Sequence, residues 1–377
     1  MNFLLKNINA IGFKLLNSEI NIFIDESGII RNKVVSNTKY IKELDLAEYY
    51  LSPGWIDFHT HIFDGISNIG LNPDEIGPKT GVSVLVDAGS AGEVTYQGFK
   101  KYIIEPRNYP IYALLNLSSI GLIKANQISE LDSMDKLDID ALVKCVEENR
   151  DYIKGIKLRA SGVILRGWGF EIVKLAKKVS RETKLPLIVH VGEPPPLLED
   201  ILPLLAKGDI VTHYYHGKRW GIFDDNQIIK EVKDAVERGV LFDVGHGAAS
   251  FNFIVAKKAI AKGFKPFIIS TDLHGQNLNG PVWDLATTMS KMLAAGLSLQ
   301  EVIEGVTINP AEVLDIESYQ KGLIGKKARF TVFKIENKRV KLYDSNNNLI
   351  EVDKVISPKF VINGTEIIKA SSRYKGN

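Results

Sequence analysis

One cysteine in 377 residues, Cys145, excludes an internal disulfide framework and any zinc site built from thiolates. It lies in 141-ALVKCVEEN-149, whose apolar spacing predicts an amphipathic helix and so a buried structural thiol rather than a nucleophile. An excess of charge of either sign is also missing. The 47 basic and 45 acidic residues leave a formal charge of +2, scattered along the chain. That balance offers no electrostatic footprint for nucleic acid or an anionic membrane. No apolar run approaches the roughly 20 residues that a membrane span requires. The opening MNFLLKNINAIGFKLL is interrupted by Lys6, Asn7, Asn9 and Lys14, and no small-residue cleavage site follows it. These absences predict a soluble cytoplasmic protein, in which the sequons at Asn116 and Asn363 have no glycosylation meaning.

What is present is a hydrophobic content of 45%, enough for a substantial core. Residues 1–50 and 320–370 carry short alternating segments, among them 20-INIFID-25, 329-RFTVFKI-335, 339-RVKLYD-344 and 359-KFVIN-363. Polar turns such as Asn346-Asn347-Asn348 separate them, so both ends predict short β-strands. The middle has another rhythm. Eight apolar runs recur: 55-WIDFH-59, 82-VSVLVDAG-89, 111-IYALLNLS-118, 153-IKGIKL-158, 187-LIVH-190, 210-IVTH-213, 240-VLFDVG-245 and 267-FIISTD-272. Helical periods separate most of them, as in 171-EIVKLAKKVSRETK-184 with Ile172, Leu175, Ala176 and Val179 on one face. The predicted class is α/β: a (β/α)8 TIM-type barrel over 52–317, whose size fits the usual roughly 250 residues. A small β-sandwich composed of 1–51 and 318–377 stands beside it. A doubly wound open sheet is the competing architecture, because closure is not visible in a sequence.

Histidine is scarce, at seven residues, yet two of them flank Thr60 in 55-WIDFHTHIFDG-65. On a strand, residues i and i+2 share a face, so His59 and His61 project together. Run four carries Lys157, run five ends in His190, run six in His213 and run eight in Asp272. Taken alone, His190 reads as a structural histidine, Asp272 as a helix N-cap and Lys157 as a solvated lysine. All of them at the same end of their strands, where a barrel keeps its active site, is a different matter. The bland reading then needs six coincidences.

The stretch 53-PGWIDFHTH-61 resembles the signature of the amidohydrolase superfamily, and the order HxH, Lys, His, His, Asp is similar to its binuclear-metal branch. The tail 307-TINPAEVL-314, followed by 322-GLIGKKARFTVF-333, resembles that superfamily's return to its β-sandwich. Arg329 departs from the pattern, which commonly has aspartate there. The resemblance implies His59, His61 and Asp272 on one divalent ion, His190 and His213 on the other, and Lys157 carboxylated (N6-carboxylysine) as the bridge. Imidazole and carboxylate donors suit zinc. A charged ammonium cannot ligate, so Lys157 must first lose its proton, which burial promotes. The resemblance then implies attack on a carbonyl by a metal-bridging hydroxide, with Asp272 as the proton carrier.

Substrate choice turns on smaller features. Dihydroorotases usually carry an arginine two residues after the HxH pair, and Phe63 stands there. The phrases 156-IKLRASG-162 and 270-STDLHG-275 look like amidohydrolase/deacetylase metallohydrolases, which implies deacetylation of small N-acyl or O-acyl acids. Arg159, two residues after Lys157, would face the same mouth and could hold a substrate carboxylate, or could pair with an acid at the rim. His216, His246 and His274 follow strand ends closely and are candidates for substrate contact. The alternative is a cyclic amidase of the dihydroorotase or hydantoinase kind. A deaminase fits less well, because many of those use one metal and need no bridging lysine; a non-catalytic scaffold fits less well, because no ligand of the set is missing. The expected partner is a small molecule, without nucleic acid or membrane, and a homo-oligomer is compatible with the resemblance.

Overall fold

The apolar runs become strands because both their faces are buried, as a parallel sheet covered by helices requires. The computed structural model describes residues 1–13, 21–32, 41–320 and 322–376. Seven of the eight runs form one curled parallel sheet: β1 Trp55–Thr60, β2 Val82–Ala88, β3 Ile111–Asn116, β4 Ile153–Arg159, β5 Leu187–His190, β6 Ile210–Thr212 and β7 Leu241–Asp243. They are hydrogen-bonded in chain order. Leu114, Ile188 and Ile210 share the parity of Asn116, His190 and Thr212, so they point to the same side of the sheet. Together with Val84, Val86 and Ile268 they form one buried cluster. A larger cluster lies between the sheet and the surrounding helices, including Glu171–Thr183 and Leu285–Ala295.

The eighth run departs from the expectation. Residues 267–272 form no ladder; instead Ile268 bridges Asp243 and Leu273 bridges Thr60, both in parallel sense. The segment therefore closes the ring between β7 and β1 as an irregular stave. The physical reason is a side chain taking over backbone bonding: the Asp57 carboxylate accepts from Thr271 N–H at 3.1 Å and from its hydroxyl at 2.6 Å. Asp272 then adopts φ +52°, which turns the chain toward the barrel mouth.

Both chain ends build the appended β-structure. A four-stranded sheet orders Ile30–Arg31, Ile22–Ile24, Asn2–Lys6 and Ile41–Asp45. A five-stranded sheet orders Glu366–Lys369, Leu349–Asn363, Arg329–Tyr343, Tyr50–Pro53 and Asn9–Ala10. Phe3, Leu5 and Ile24 share a core with Leu51, Phe330, Val332 and Ile362. Ile20 and Lys14 of the sequence-predicted segments lie outside the described residues. The segments expected as separate strands at 329–335 and 339–344 are one continuous strand. A register irregularity between Asn337 and Val340 absorbs the polar stretch that reads as a turn. The Asn346-Asn347-Asn348 turn does form, at the tip of the long hairpin. Cys145 is buried in the helix Ile139–Glu148, and burial pushes its thiol up to about 12.

Candidate metal centre

Five of the eight staves deliver six side chains to the barrel mouth, two from β1 and one each from β4, β5, β6 and the eighth. His59, His213 and Asp272 present donor atoms all within 4.8 Å of one another. Asp272 Oδ1 lies 3.1 Å from His61 Nε2 and 3.4 Å from His59 Nε2. Lys157 Nζ is 3.2 Å from His59 Nε2, and the His190 and His213 rings meet at 4.4 Å between centroids. The six residues marked in the sequence thus converge on one site. Gly89 makes room for Lys157: its φ is +90°, and a Cβ there would stand 2.8 Å from Lys157 Cγ.

Hydrogen bonds fix which ring nitrogens face inward. Thr212 Oγ1 donates to Asp243 Oδ2 at 2.7 Å, so toward His59 Nδ1, at 3.1 Å, it acts as acceptor. His59 is therefore protonated on Nδ1 and directs the Nε2 lone pair into the site. His213 Nδ1 lies 2.6 Å from the Gly245 carbonyl, which can only accept. That leaves His213 Nε2 a buried acceptor with no protein partner. Such an orphaned lone pair beside other inward-facing donors is what a metal ligand looks like before its ion is counted. His61 Nδ1 is held by Ser90 Oγ at 2.9 Å. His190 Nε2 faces Glu193 Oε2 at 3.6 Å.

Burial also sets the protonation states. It pushes His59 and His213 well below the ordinary imidazole range and His190 down to about 4, so all three rings are neutral and free to offer a lone pair. Lys157 is pushed down to about 8 by burial, against the pull of Asp272 and Asp243. Burial would raise Asp272, but the His61 hydrogen bond pulls the other way, and the carboxylate is held well below the ordinary range. The donor set, neutral imidazoles plus carboxylate with a deprotonatable lysine, fits divalent first-row ions.

A cavity of roughly 320 Å3 opens above these residues. Arg159 and His274 line it; His216 and His246 do not. Arg159 faces the mouth and also lies beside an acid at its rim. Its Nε faces Glu130 Oε1 at 3.4 Å without forming a proper hydrogen bond, and its Nη2 donates to Asn126 Oδ1 at 3.3 Å. His274 Nδ1 accepts from Gln276 N–H at 3.2 Å, which puts its proton on Nε2. His216 Nδ1 accepts from Lys218 N–H at 3.1 Å and braces that loop. His246 is stacked on Phe251 and accepts from Lys291 Nζ at 2.8 Å, behind the cavity wall. Phe63 packs edge-on against Phe99 in the core and does not line the cavity.

Several contributors escaped the sequence reading. Asp243 and Asp87 orient His59 and His61 through Thr212 and Ser90. Each is a lone acid inside an otherwise apolar run, the same anomaly that marks the histidines. Glu193 and Lys218 form an ion pair on the cavity wall, and nothing in their local sequence announces it. Lys291 is the one charge in the helix Leu285–Ala295 and is fully buried, a signal the sequence does carry.

The Amidohydrolase family profile matches residues 50–367. The chain is also 42% identical to a deacetylase of Agrobacterium fabrum over 376 residues, covering 98% of this chain and 92% of that one. A deacetylase of Brucella anthropi is 41% identical, covering 98% and 93%. Among solved structures, a crystal structure of a dihydroorotase superposes with a TM-score of 0.90 at 41% identity, covering 99% of each chain. A crystal structure of an adenine deaminase gives 0.89 at 34% identity, covering 97% and 99%. A strand-end cluster of this kind, on a barrel with this appended β-structure, defines a metal-dependent hydrolase. The chain belongs to the amidohydrolase family. It is a hydrolase of C–N bonds, and the fold is the barrel with β-sandwich that the sequence predicts. Among the described residues no helix is long and apolar enough to cross a membrane.

Proposed function

We propose that this protein removes acyl groups, acetyl above all, from small N-acyl or O-acyl acids. The observation that carries the reading is Arg159. Its guanidinium lines the same cavity as Lys157 and Asp272, two residues along β4 from Lys157 and therefore on the same side. A carboxylate gripped there would leave the acyl carbonyl of a small acid over the strand-end cluster. Phe63, packed into the core, supplies no such grip at the position dihydroorotases use. The deacetylase relatives support the same reading.

The residues divide into roles. His59, His61 and Asp272 would hold one divalent ion, His190 and His213 a second, with carboxylated Lys157 between them; zinc suits these donors. Ions held there supply polarisation of the substrate carbonyl and a lowered pKa for the attacking water. Asp272, kept ionised, takes the proton from that water and passes it to the departing nitrogen or oxygen. His274, with its proton on Nε2, donates to the substrate from the cavity wall. Residues 52–317 form the catalytic barrel, with 1–51 and 318–377 as its composite appendage. We place the enzyme in the cytoplasm.

The likeness to the solved dihydroorotase makes ring opening the rival reaction. The test is metal analysis together with hydrolysis of a panel of acetylated amino and hydroxy acids, dihydroorotate, hydantoin and dihydropyrimidines. Turnover of the acetylated acids supports the proposal. Metal-loaded protein that opens only the rings, or turns over nothing on the panel, overturns it.

A further inference from the structure

The appended hairpin reaches back to the barrel. Its tip, Asp344–Asn348, joins the strands Arg329–Tyr343 and Leu349–Asn363 and touches the loop that follows β7. Ser345 Oγ donates to the Gly247 carbonyl at 2.9 Å and accepts from Phe251 N–H at 3.3 Å. Ser345 N–H donates to the Phe251 carbonyl at 3.0 Å. Asp344 Oδ2 accepts from Phe253 N–H at 2.9 Å, and Asn346 Oδ1 accepts from Asn252 Nδ2 at 3.0 Å. Asp344 is fully buried and also accepts from Asn346 N–H, Asn348 N–H and Asn348 Nδ2, which makes the tip a rigid unit.

The gripped loop is not remote from the chemistry. Ala248, Ala249 and Ser250 line the cavity. Gly247 has φ +58°, and a Cβ there would stand 2.7 Å from Asp272 Oδ2, so the loop backbone lies directly against that carboxylate. The neighbouring loop is tied in as well. Asn252 N–H donates to the Tyr215 carbonyl at 2.9 Å, two residues from His213, and a Cβ on Gly217 would meet both Asn252 and Asn346 at 2.7 Å. From the barrel side, Lys291 Nζ donates to His246 Nε2 at 2.8 Å and to the Pro281 carbonyl at 2.6 Å. The loop is thus fixed at both ends, by the helix beneath it and by the hairpin above it.

We infer that the hairpin tip, through Ser345 and Asn346, is a positioning device that holds the Gly247–Asn252 loop against Asp272 and sets the wall of the active site. The isolated barrel would then have its ligands but a loose cavity wall, and the β-structure contributes to turnover as well as to stability. This goes beyond the proposed reaction and does not depend on which substrate is correct.

The test is hydrogen-exchange mass spectrometry on the full-length protein and its Ser345→Ala and Asn346→Ala variants. Losing one or two loop hydrogen bonds should speed exchange across residues 247–253 by about tenfold, with β4 and β5 unchanged. Ser345→Thr, which keeps the hydroxyl, should restore protection. Glu351→Ala, which breaks an exposed cross-strand pair with Arg339 farther along the same hairpin, should leave the loop at its wild-type rate. On any substrate found, Ser345→Ala should lower kcat while KM changes little. Exchange at 247–253 that stays at the wild-type rate in both alanine variants overturns the inference. So does faster exchange confined to the hairpin itself. If Ser345→Ala unfolds globally, Asn346→Ala, whose side chain is exposed, decides alone. The exchange readout needs no substrate, so it stands whether or not deacetylation is the reaction.

Discussion

Replacing Thr212 by valine keeps the shape of the side chain and removes one hydroxyl that the site uses twice. That hydroxyl donates to Asp243 Oδ2 at 2.7 Å and accepts from His59 Nδ1 at 3.1 Å. It therefore fixes the ring on the tautomer that directs Nε2 toward Lys157 and Asp272. Without it, the nearest acceptor for Nδ1–H is Asp243 Oδ2, now 3.6 Å away. Reaching it requires the ring to swing, which shifts Nε2 from its present place 3.2 Å from Lys157 Nζ. Loss of a group that orients a metal-binding histidine typically costs ten- to a hundredfold in metal affinity, about 1.4–2.7 kcal/mol. Competition against a chromophoric chelator would measure the dissociation constants, with melting of the metal-free protein as the stability control. Ser270→Ala, which removes the 2.6 Å bond to the other Asp243 oxygen but leaves Thr212 in place, should have a smaller effect. A Thr212→Val protein that folds normally and holds its metal within threefold of wild type would refute the reasoning.

Arg159→Met should lower kcat/KM for carboxylate-bearing substrates by roughly 10–150-fold, the worth of a charge-assisted hydrogen bond, while neutral acyl esters are little affected. Equal losses on both classes would show that Arg159 serves only its pairing with Glu130. Gly89→Ala forces a side chain onto a φ of +90° and against Lys157 Cγ, so it should cost about 1–3 kcal/mol of stability and lower activity sharply; chemical denaturation with a parallel rate assay reads both. Burial pushes Lys291 down to about 7, so from that pH up to the free lysine value the unfolded chain binds the extra proton. Stability should therefore rise with pH across that window, by at most about 1.4 kcal/mol per unit. Lys291→Met should flatten that rise in urea titrations; parallel wild-type and variant profiles would count against it.

The residues that converge at the barrel mouth were legible in the sequence for an energetic reason. A histidine, lysine or aspartate at the end of an apolar run carries a desolvation cost that a chain does not accept idly, so the anomaly marks a site. The same reasoning applies to Asp87, Asp243 and Lys291, each a lone charge in an apolar segment, and it could have found them. The barrel was legible because strand and helix periods are local properties of the chain. The eighth stave reads as a strand by composition, yet it is irregular because Asp57, more than 200 residues earlier, takes its hydrogen bonds.

Partnership was decided only in three dimensions. His216, His246 and His274 each stand within four residues of the end of a strand or stave, yet only His274 lines the cavity. Which way each ring turns depends on the loop around it. Arg159 is placed by its own strand, but Glu130 and Asn126, which hold it, come from a connection with no periodic signal. The grip of Ser345 on Gly247 joins residues 98 positions apart. Residue types and their spacing encode what a local stretch can become. Which donor meets which acceptor across the chain is encoded only in the closed barrel and the hairpin folded back upon it.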